Sequence, residues 1–330
     1  MATCEGVTSR SGLRTVRLEN ECMSVSLLPE AGGKIAELID RRSGRNWLWQ
    51  NPHLTMRRPV YGSDYGRDLD SGGWDEILFS TGPCEIALPD GTQHRIPDHG
   101  DLVGQAWKVE ESAALESGHA VCDLTTTGRV FDFRWRRVAI LDAKRPLLTL
   151  EYSLENTGDS PWPWAWCAHP LIAVERGMRI ELPADREFRV ADSMRLNLSQ
   201  PDSEFVWPRL PLSDGSAIDL AASFDSGAEP DRFAAKLFVR SASPGAVSIA
   251  SANRIQRLTI RYDERQIPWL GLWINNRAWS GCGSPPHLNL GLEPSTSPCE
   301  SLTEAIAEGW TEHLEPGKIR TWSLSIEVGA

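Results

Sequence analysis

The stretch Leu148-Thr149-Leu150-Glu151-Tyr152-Ser153-Leu154 alternates apolar and polar residues without a break. Successive side chains of an extended chain point to opposite faces. The pattern therefore puts Leu148, Leu150, Tyr152 and Leu154 on one buried face of a β-strand. The same period of two returns in Met23-Ser24-Val25-Ser26-Leu27, Val247-Ser248-Ile249, Leu258-Thr259-Ile260-Arg261-Tyr262 and Trp322-Ser323-Leu324-Ser325-Ile326-Glu327-Val328. Glycine (27 residues) and proline (22) punctuate these runs frequently. Helical periodicity is scarce. Its best instance is 301–308, where Ser301 can cap and Glu304 stands at the capping-box position. Many short strands with turn signals between them predict an all-β fold, a large antiparallel β-sandwich with few short helices. No fixed period repeats, which counts against a propeller. The Pro-, Asp- and Ser-rich stretch 200–232 reads as a long surface loop within one sandwich rather than as a linker. No shift in composition marks a boundary, so one domain is expected over 1–330. Residues 1–14 are expected as an N-terminal extension ahead of a first strand near Val16.

The 330 residues include 34 basic and 45 acidic side chains, a net charge of −11. That balance argues against nucleic acid and against anionic membrane surfaces as partners, since both need Lys and Arg in excess. No run approaches 18 apolar residues, so no transmembrane helix is expected. Met1-Ala2-Thr3-Cys4-Glu5-Gly6 lacks the basic and apolar regions of a secretory leader, and a cytoplasmic location is the expectation. The seven cysteines, at 4, 22, 84, 122, 167, 282 and 299, form no C-x-x-C pair. Buried free thiols are expected, and no zinc site. Fourteen Trp stand against 8 Phe and 4 Tyr. Such an excess serves either a bulky core or a stacking surface for a ligand, and composition does not choose between them.

Nucleotide, zinc-protease and serine-hydrolase signatures are absent: no G-x-G-x-x-G follows a strand, and no P-loop, H-E-x-x-H or G-x-S-x-G occurs. Five segments carry the polar residues of interest. Leu28-Pro29-Glu30-Ala31-Gly32-Gly33-Lys34-Ile35 is either a hairpin with a solvated lysine or a rigid turn that projects Lys34 into a site. Ser71-Gly72-Gly73-Trp74-Asp75-Glu76 sets an aromatic and two carboxylates directly after a backbone that can approach a ligand closely. Ile96-Pro97-Asp98-His99-Gly100-Asp101 places His99 in a loop between carboxylates that can fix its tautomer. Trp162-Pro163-Trp164-Ala165-Trp166-Cys167-Ala168-His169-Pro170 reads as a tryptophan stripe ending in a polar His169. In Asn289-Leu290-Gly291-Leu292-Glu293-Pro294, Glu293 ends an apolar run, where a partly apolar cleft would raise its pKa toward that of a useful base.

These segments, in this order, resemble the aldose 1-epimerase (galactose mutarotase-like) superfamily, from about Val16 to Val328. The resemblance implies a β-sandwich with a shallow sugar cleft on one concave sheet. It implies interconversion of the α and β anomers of an aldose without metal or organic cofactor. A base takes the anomeric hydroxyl proton, an acid protonates the ring oxygen, the C1–C2 bond rotates and the ring closes again. Carried over by position, Glu293 is the base, His169 the acid (expected as imidazolium) and His99 a second, substrate-holding histidine. Lys34, Asp75, Trp74, Trp166, Trp273 and Arg67 are weaker carry-overs as sugar ligands or stacking walls. For the aspartate that binds neighbouring hydroxyls, Asp192 is the candidate. His169 is followed by Pro170-Leu171-Ile172 rather than the Tyr-Phe-Asn stretch of galactose mutarotases, which marks a divergent branch.

Two other classes compete. One is a carbohydrate-binding or sensing protein without turnover. The other is a sugar lyase or hexose-phosphate epimerase on the same fold. A lyase would need a Tyr or Lys base, with Tyr61 and Tyr65 the first tyrosines to mutate, and a phosphate would be held by Arg57, Arg58 or Arg67. The partner expected is a small sugar, with a homodimer left open. Trp74, Trp107, Trp164, Trp166 and Trp273 fall in or beside the candidate segments; Trp47, Trp310 and Trp322 are assigned to the core.

Overall fold

The protein is described by a computed structural model covering residues 1–8, 12–88, 90–183, 186–199, 204–224, 232–281, 283 and 285–329. Two antiparallel sheets make up the body. The larger has 12 strands. Its order runs Thr3–Thr8, Arg14–Glu19, Met23–Leu28, Lys34–Asp40, Trp74–Leu78, Trp166–Ala173, Leu288–Ser295, Trp269–Asn276, Phe233–Arg240, Glu187–Met194 and Glu204–Val206, with Arg45–Asn46 beside Lys34–Asp40. The smaller has 8 strands, in the order Arg179–Glu181, Gly245–Ala250, Arg257–Tyr262, Ile319–Gly329, Leu147–Asn156, Phe133–Leu141, Ala120–Thr127 and Lys108–Ala114.

The alternation at 148–154 is realised: Leu148, Leu150, Tyr152 and Leu154 are buried, while the residues between them are less so. Their neighbours on Ile319–Gly329 bury Trp322, Leu324, Ile326 and Val328 in the same way. Between the sheets Trp135, Tyr152, Trp166 and Trp322 form one aromatic cluster with ring centroids 5.0 to 5.7 Å apart. A fully buried ion pair spans the sheets beside it. Arg137 Nη1 lies 3.1 Å from Glu76 Oε1. Glu76 also accepts from Tyr152 Oη at 3.0 Å and Trp166 Nε1 at 3.1 Å. These three donors solvate the carboxylate, the condition under which a buried pair is tolerated, but burial outweighs them and raises the Glu76 carboxyl to about 7.

Several expectations need correction. Thr3–Thr8 is an edge strand paired to Arg14–Glu19, not an extension before the first strand. The described part of 200–232 carries secondary structure: Glu204–Val206 pairs with the edge strand Glu187–Met194, and Arg209–Pro211 pairs with Ala217–Asp219. Among the described cysteines none is in a disulfide, but only Cys122 and Cys167 are buried; Cys4, Cys22, Cys84 and Cys299 are partly exposed. Cys282 lies outside the described residues. Trp47 and Trp322 are core, whereas Trp310 is 39 % exposed. The short helix forms over Leu302–Ala307, with Ser301 Oγ accepting from Glu304 N at 3.1 Å. No helix among the described residues is long and apolar enough to cross a membrane.

Candidate active site

Strand register on the large sheet brings most of the site together. Cross-strand partners share a face. Asp75 lies opposite His169. The pairs Cys167–Ser295 and Leu171–Gly291 carry His169 opposite Glu293, and Glu293 faces Gly271. The next row along the strands runs Leu171, Gly291, Trp273, Lys236 and Asp192. From these rows His169, Glu293, Leu171, Trp273, Lys236 and Asp192 line a cavity of about 430 Å³. Loops cover it from above with Tyr65, Asp98, His99, Trp279 and Glu300.

Glu293 has no exposed surface and forms part of the cavity floor. Two glycines make room for it. A Cβ at Gly291 would sit 2.3 Å from Glu293 Oε1, and one at Gly271 would sit 3.0 Å from Oε2. The carboxylate is divided between two surroundings. Oε2 accepts a hydrogen bond from Lys236 Nζ and a contact from Cys167 Sγ at 3.6 Å. Oε1 has no hydrogen-bond partner and faces His169 Nε2 at 3.8 Å. Lys236 Nζ also lies 3.4 Å from Glu300 Oε1. Burial raises the Glu293 carboxyl above its ordinary value, against the pull of the Lys236 ammonium. Burial disfavours the charge on Lys236, but the Glu293 and Glu300 carboxylates outweigh it and hold the ammonium above its ordinary value.

His169 is only 6 % exposed. Burial, then the nearby His99, Lys236 and Lys34, hold it well below the ordinary imidazole value. The expected imidazolium is therefore disfavoured in the resting site, because a further positive charge would be buried beside the Lys236 and Lys34 ammonium groups. His169 Nδ1 has no partner. Hydrogen on Nε2 avoids burying an orphan N–H, so the neutral ring presents a donor toward Glu293 Oε1.

His99 is held from several sides. Its Nδ1 is 2.9 Å from Asp98 Oδ1. Its ring stacks on Tyr65 with centroids 3.5 Å apart and planes 4° from parallel, and it meets His169 edge-on at 5.3 Å. Asp98 Oδ2 also accepts from Tyr65 N at 2.6 Å. Burial works against the Asp98 charge, but the hydrogen bonds from His99 and Tyr65 N outweigh it and hold Asp98 below its ordinary value. His99 has φ of 58°, the left-handed region. A non-glycine residue adopts it at a cost of about 1 kcal/mol, which the stack and the Asp98 bond offset.

His99, His169, Glu293, Trp273 and Asp192 thus border one cavity. The other sequence candidates do not. Lys34 Nζ is spent on Asp75 Oδ2 at 2.6 Å and Gly72 O at 2.8 Å. Asp75 Oδ2 also accepts from Tyr65 Oη at 2.8 Å, so both residues support Tyr65 from behind rather than reaching the cavity. Trp166 and His169 differ by an odd number of positions, so they point to opposite faces. Trp166 lies in the interior with Trp74, Trp107 and Trp164. Arg67 is exposed and pairs with Asp68 at 2.8 Å. Arg57 and Arg58 pair with Asp68 and Glu30. Tyr61 and Tyr65 are held protonated, first by burial and then by neighbouring aspartates, which disfavours a tyrosinate base.

Lys236, Asp70, Trp279, Asn289 and Glu300 were missed. A signal for Lys236 was present in Phe233-Ala234-Ala235-Lys236-Leu237-Phe238-Val239, where one charge interrupts an apolar strand that is buried on both faces. Asp70 lines the cavity with Oδ1 unpartnered; burial chiefly, tempered by Lys34 and His99, raises it to about 6.

No family model and no curated protein sequence matches this chain. Solved structures do match. A galactose mutarotase-like protein from Clostridium acetobutylicum superposes with a TM-score of 0.69 at 13% identity, over 98% of each chain. The Slr1438 protein from Synechocystis sp. PCC 6803 gives 0.65 at 18% identity, over 96% of this chain and 95% of the other. An aldose epimerase homologue from C. elegans gives 0.58 at 13% identity, over 94% and 96%. Identity this low carries the architecture and not the chemistry: the chain has the galactose mutarotase-like β-sandwich fold.

Proposed function

We propose that the protein is a mutarotase of the aldose 1-epimerase type acting on an uncharged aldose. One observation carries the reading. Glu293 Oε1, which has no hydrogen-bond partner, faces His169 Nε2 at 3.8 Å at the floor of the cavity. Two oxygens on one carbon, the anomeric hydroxyl and the ring oxygen, suit such a pair. Glu293 Oε1 takes the hydroxyl proton while His169 Nε2–H donates to the ring oxygen. The C1–O bond breaks to give the open-chain aldehyde, C1–C2 rotates, and the reverse transfers close the ring on the other face. Proton transfers of this kind contribute on the order of 10²–10⁴-fold each. A neutral imidazole can serve as the electrophilic partner of a carboxylate base.

The lining supports an uncharged substrate. Asp70 Oδ1, Asn289 Oδ1 and Glu293 Oε1 are buried acceptors without donors, which sugar hydroxyls would satisfy. Among the lining residues the lysine is Lys236, already committed to Glu293, while Asp64, Asp70, Asp98, Asp192 and Glu300 add carboxylates. A phosphate or sulfonate would meet repulsion there. The test is polarimetry of freshly dissolved α-aldoses alongside their 6-phosphates. Faster mutarotation of neutral aldoses supports the reading, and preference for the 6-phosphate rejects it. Calorimetric binding of neutral sugars without acceleration would favour a non-catalytic binding protein.

A further inference from the structure

Lys236 sits in the one place where it can split the Glu293 carboxylate into two unlike oxygens. Its Nζ bonds Oε2, it lies 3.4 Å from Glu300 Oε1, and it packs over the Phe238 ring at 5.4 Å. Oε1 is left without a donor. We propose that Lys236 is a positioning residue that turns Glu293 so that Oε1 alone is offered to the sugar, and that it keeps the buried carboxylate ionised and ready as a base.

Among the described residues around Glu293, Lys236 is the group able to do this. The strand Trp166–Ala173 contributes Cys167, whose own acidity burial suppresses, and His169, which burial keeps neutral. The strand Trp269–Asn276 contributes Gly271 and Trp273, neither of them charged. Glu300, on the segment after the Glu293 strand, is negative and opposes ionisation of Glu293. Asp192 lies opposite Lys236 on Glu187–Met194, and His99 reaches only as far as His169. A carboxylate with no exposed surface pays heavily for its charge unless a cation touches it.

The arrangement also holds the base in place while it gains and loses its proton. While Glu293 is ionised, the ammonium is held firmly. When Oε1 accepts the anomeric proton, the negative charge facing Lys236 falls, and the pair passes from a salt bridge to an ammonium hydrogen-bonded to a neutral acid. No proton leaves Lys236 in this step. Its bond to Oε2 persists and returns Oε1 to the same orientation for ring closure.

The inference rests on reading Glu293 as the base, so its test does not use turnover alone. In the full chain labelled at glutamate side-chain carboxyl carbons, the Glu293 resonance, assigned through Glu293→Gln, is titrated by ¹³C NMR. Losing an opposite charge at this range shifts a carboxyl by about 1–3 pH units. Lys236→Met is therefore expected to raise the Glu293 midpoint by that amount, with Lys236→Arg returning it close to wild type. Lys236→Gln, which still offers a donor to Oε2 without the charge, carries the same expectation should Lys236→Met not fold. In kcat/KM profiles, the acid limb of the charge-free variants should move up by the same interval, with activity regained at higher pH. An unmoved midpoint, or a uniform loss of rate with the limb in place, overturns the proposal. A shifted midpoint in a protein that accelerates no anomer exchange would sustain the role of Lys236 and refute the mutarotase reading separately.

Discussion

Gly291→Ala puts a methyl group where the free oxygen of the base lies. The built Cβ falls 2.3 Å from Glu293 Oε1, 3.1 Å from its Cδ and 3.0 Å from Trp273 Cβ. Non-bonded heavy atoms settle near 3.5 Å, so the carboxylate must retreat by about 1 Å. It has little room to do so, because Oε2 is tied to Lys236. A misplacement of about 1 Å at reacting atoms costs on the order of 10²-fold, or about 2.7 kcal/mol in the barrier. The backbone gives no reason for the fold to fail: Gly291 is not among the residues with positive φ, and alanine is accepted in a strand. Gly271→Ala, whose Cβ would stand 3.0 Å from Oε2, should cost less. Gly82→Ala, with its nearest neighbour at 3.8 Å, should cost nothing. The assay is saturation transfer between the anomeric protons of a neutral aldose, with thermal melting to show that each variant is folded. A folded Gly291→Ala variant with the wild-type exchange rate would refute the assignment of Oε1 as proton acceptor.

Two further outcomes follow from the buried charges. Arg137→Met strips the intersheet cation from a fully buried Glu76 and should lower stability by about 3–5 kcal/mol in urea titrations; a loss well under 1 kcal/mol would mean that Tyr152 and Trp166 suffice. Asp70, raised by burial to about 6 from an ordinary 3.8, binds its proton more tightly in the folded state. Stability should therefore fall as pH rises from about 4 to 6, by about 3 kcal/mol from this group. Asp70→Asn should match wild type near pH 4 and exceed it at pH 7, and equal stability at both pH values would contradict the account.

The fold was legible because one signal, period-two alternation, is written into the strands of the smaller sheet, whose outer face meets solvent. It was least legible in the large sheet, where strands such as Phe233–Arg240 are buried on both faces and alternation disappears. That is the reason Lys236 went unread: in a run with no polar face, a single lysine gives no hint of which side it serves. Parity explains the tryptophans. His169 was singled out from its own segment, but counting by twos from it reaches Cys167, not Trp166, so the stripe belongs to the core. Lys34 and Asp75 were drawn to the site by their glycine-rich turns and do lie next to it. Pairing with each other takes their charge out of the cavity, and pairing is a three-dimensional fact that a single sequence does not state. Trp310 was placed in the core for want of a motif, yet it stands against Trp269 at the surface.

The central claim, that Glu293 is the base of a sugar mutarotase, is tested most directly by exchange between the α and β anomeric protons of glucose and galactose at pH 7. Wild-type protein and Glu293→Gln are compared at equal concentration. The account predicts acceleration by the wild type and loss on the order of 10²–10⁴-fold in the variant. Exchange undiminished in Glu293→Gln, or no acceleration of any neutral aldose by the wild type, would contradict it.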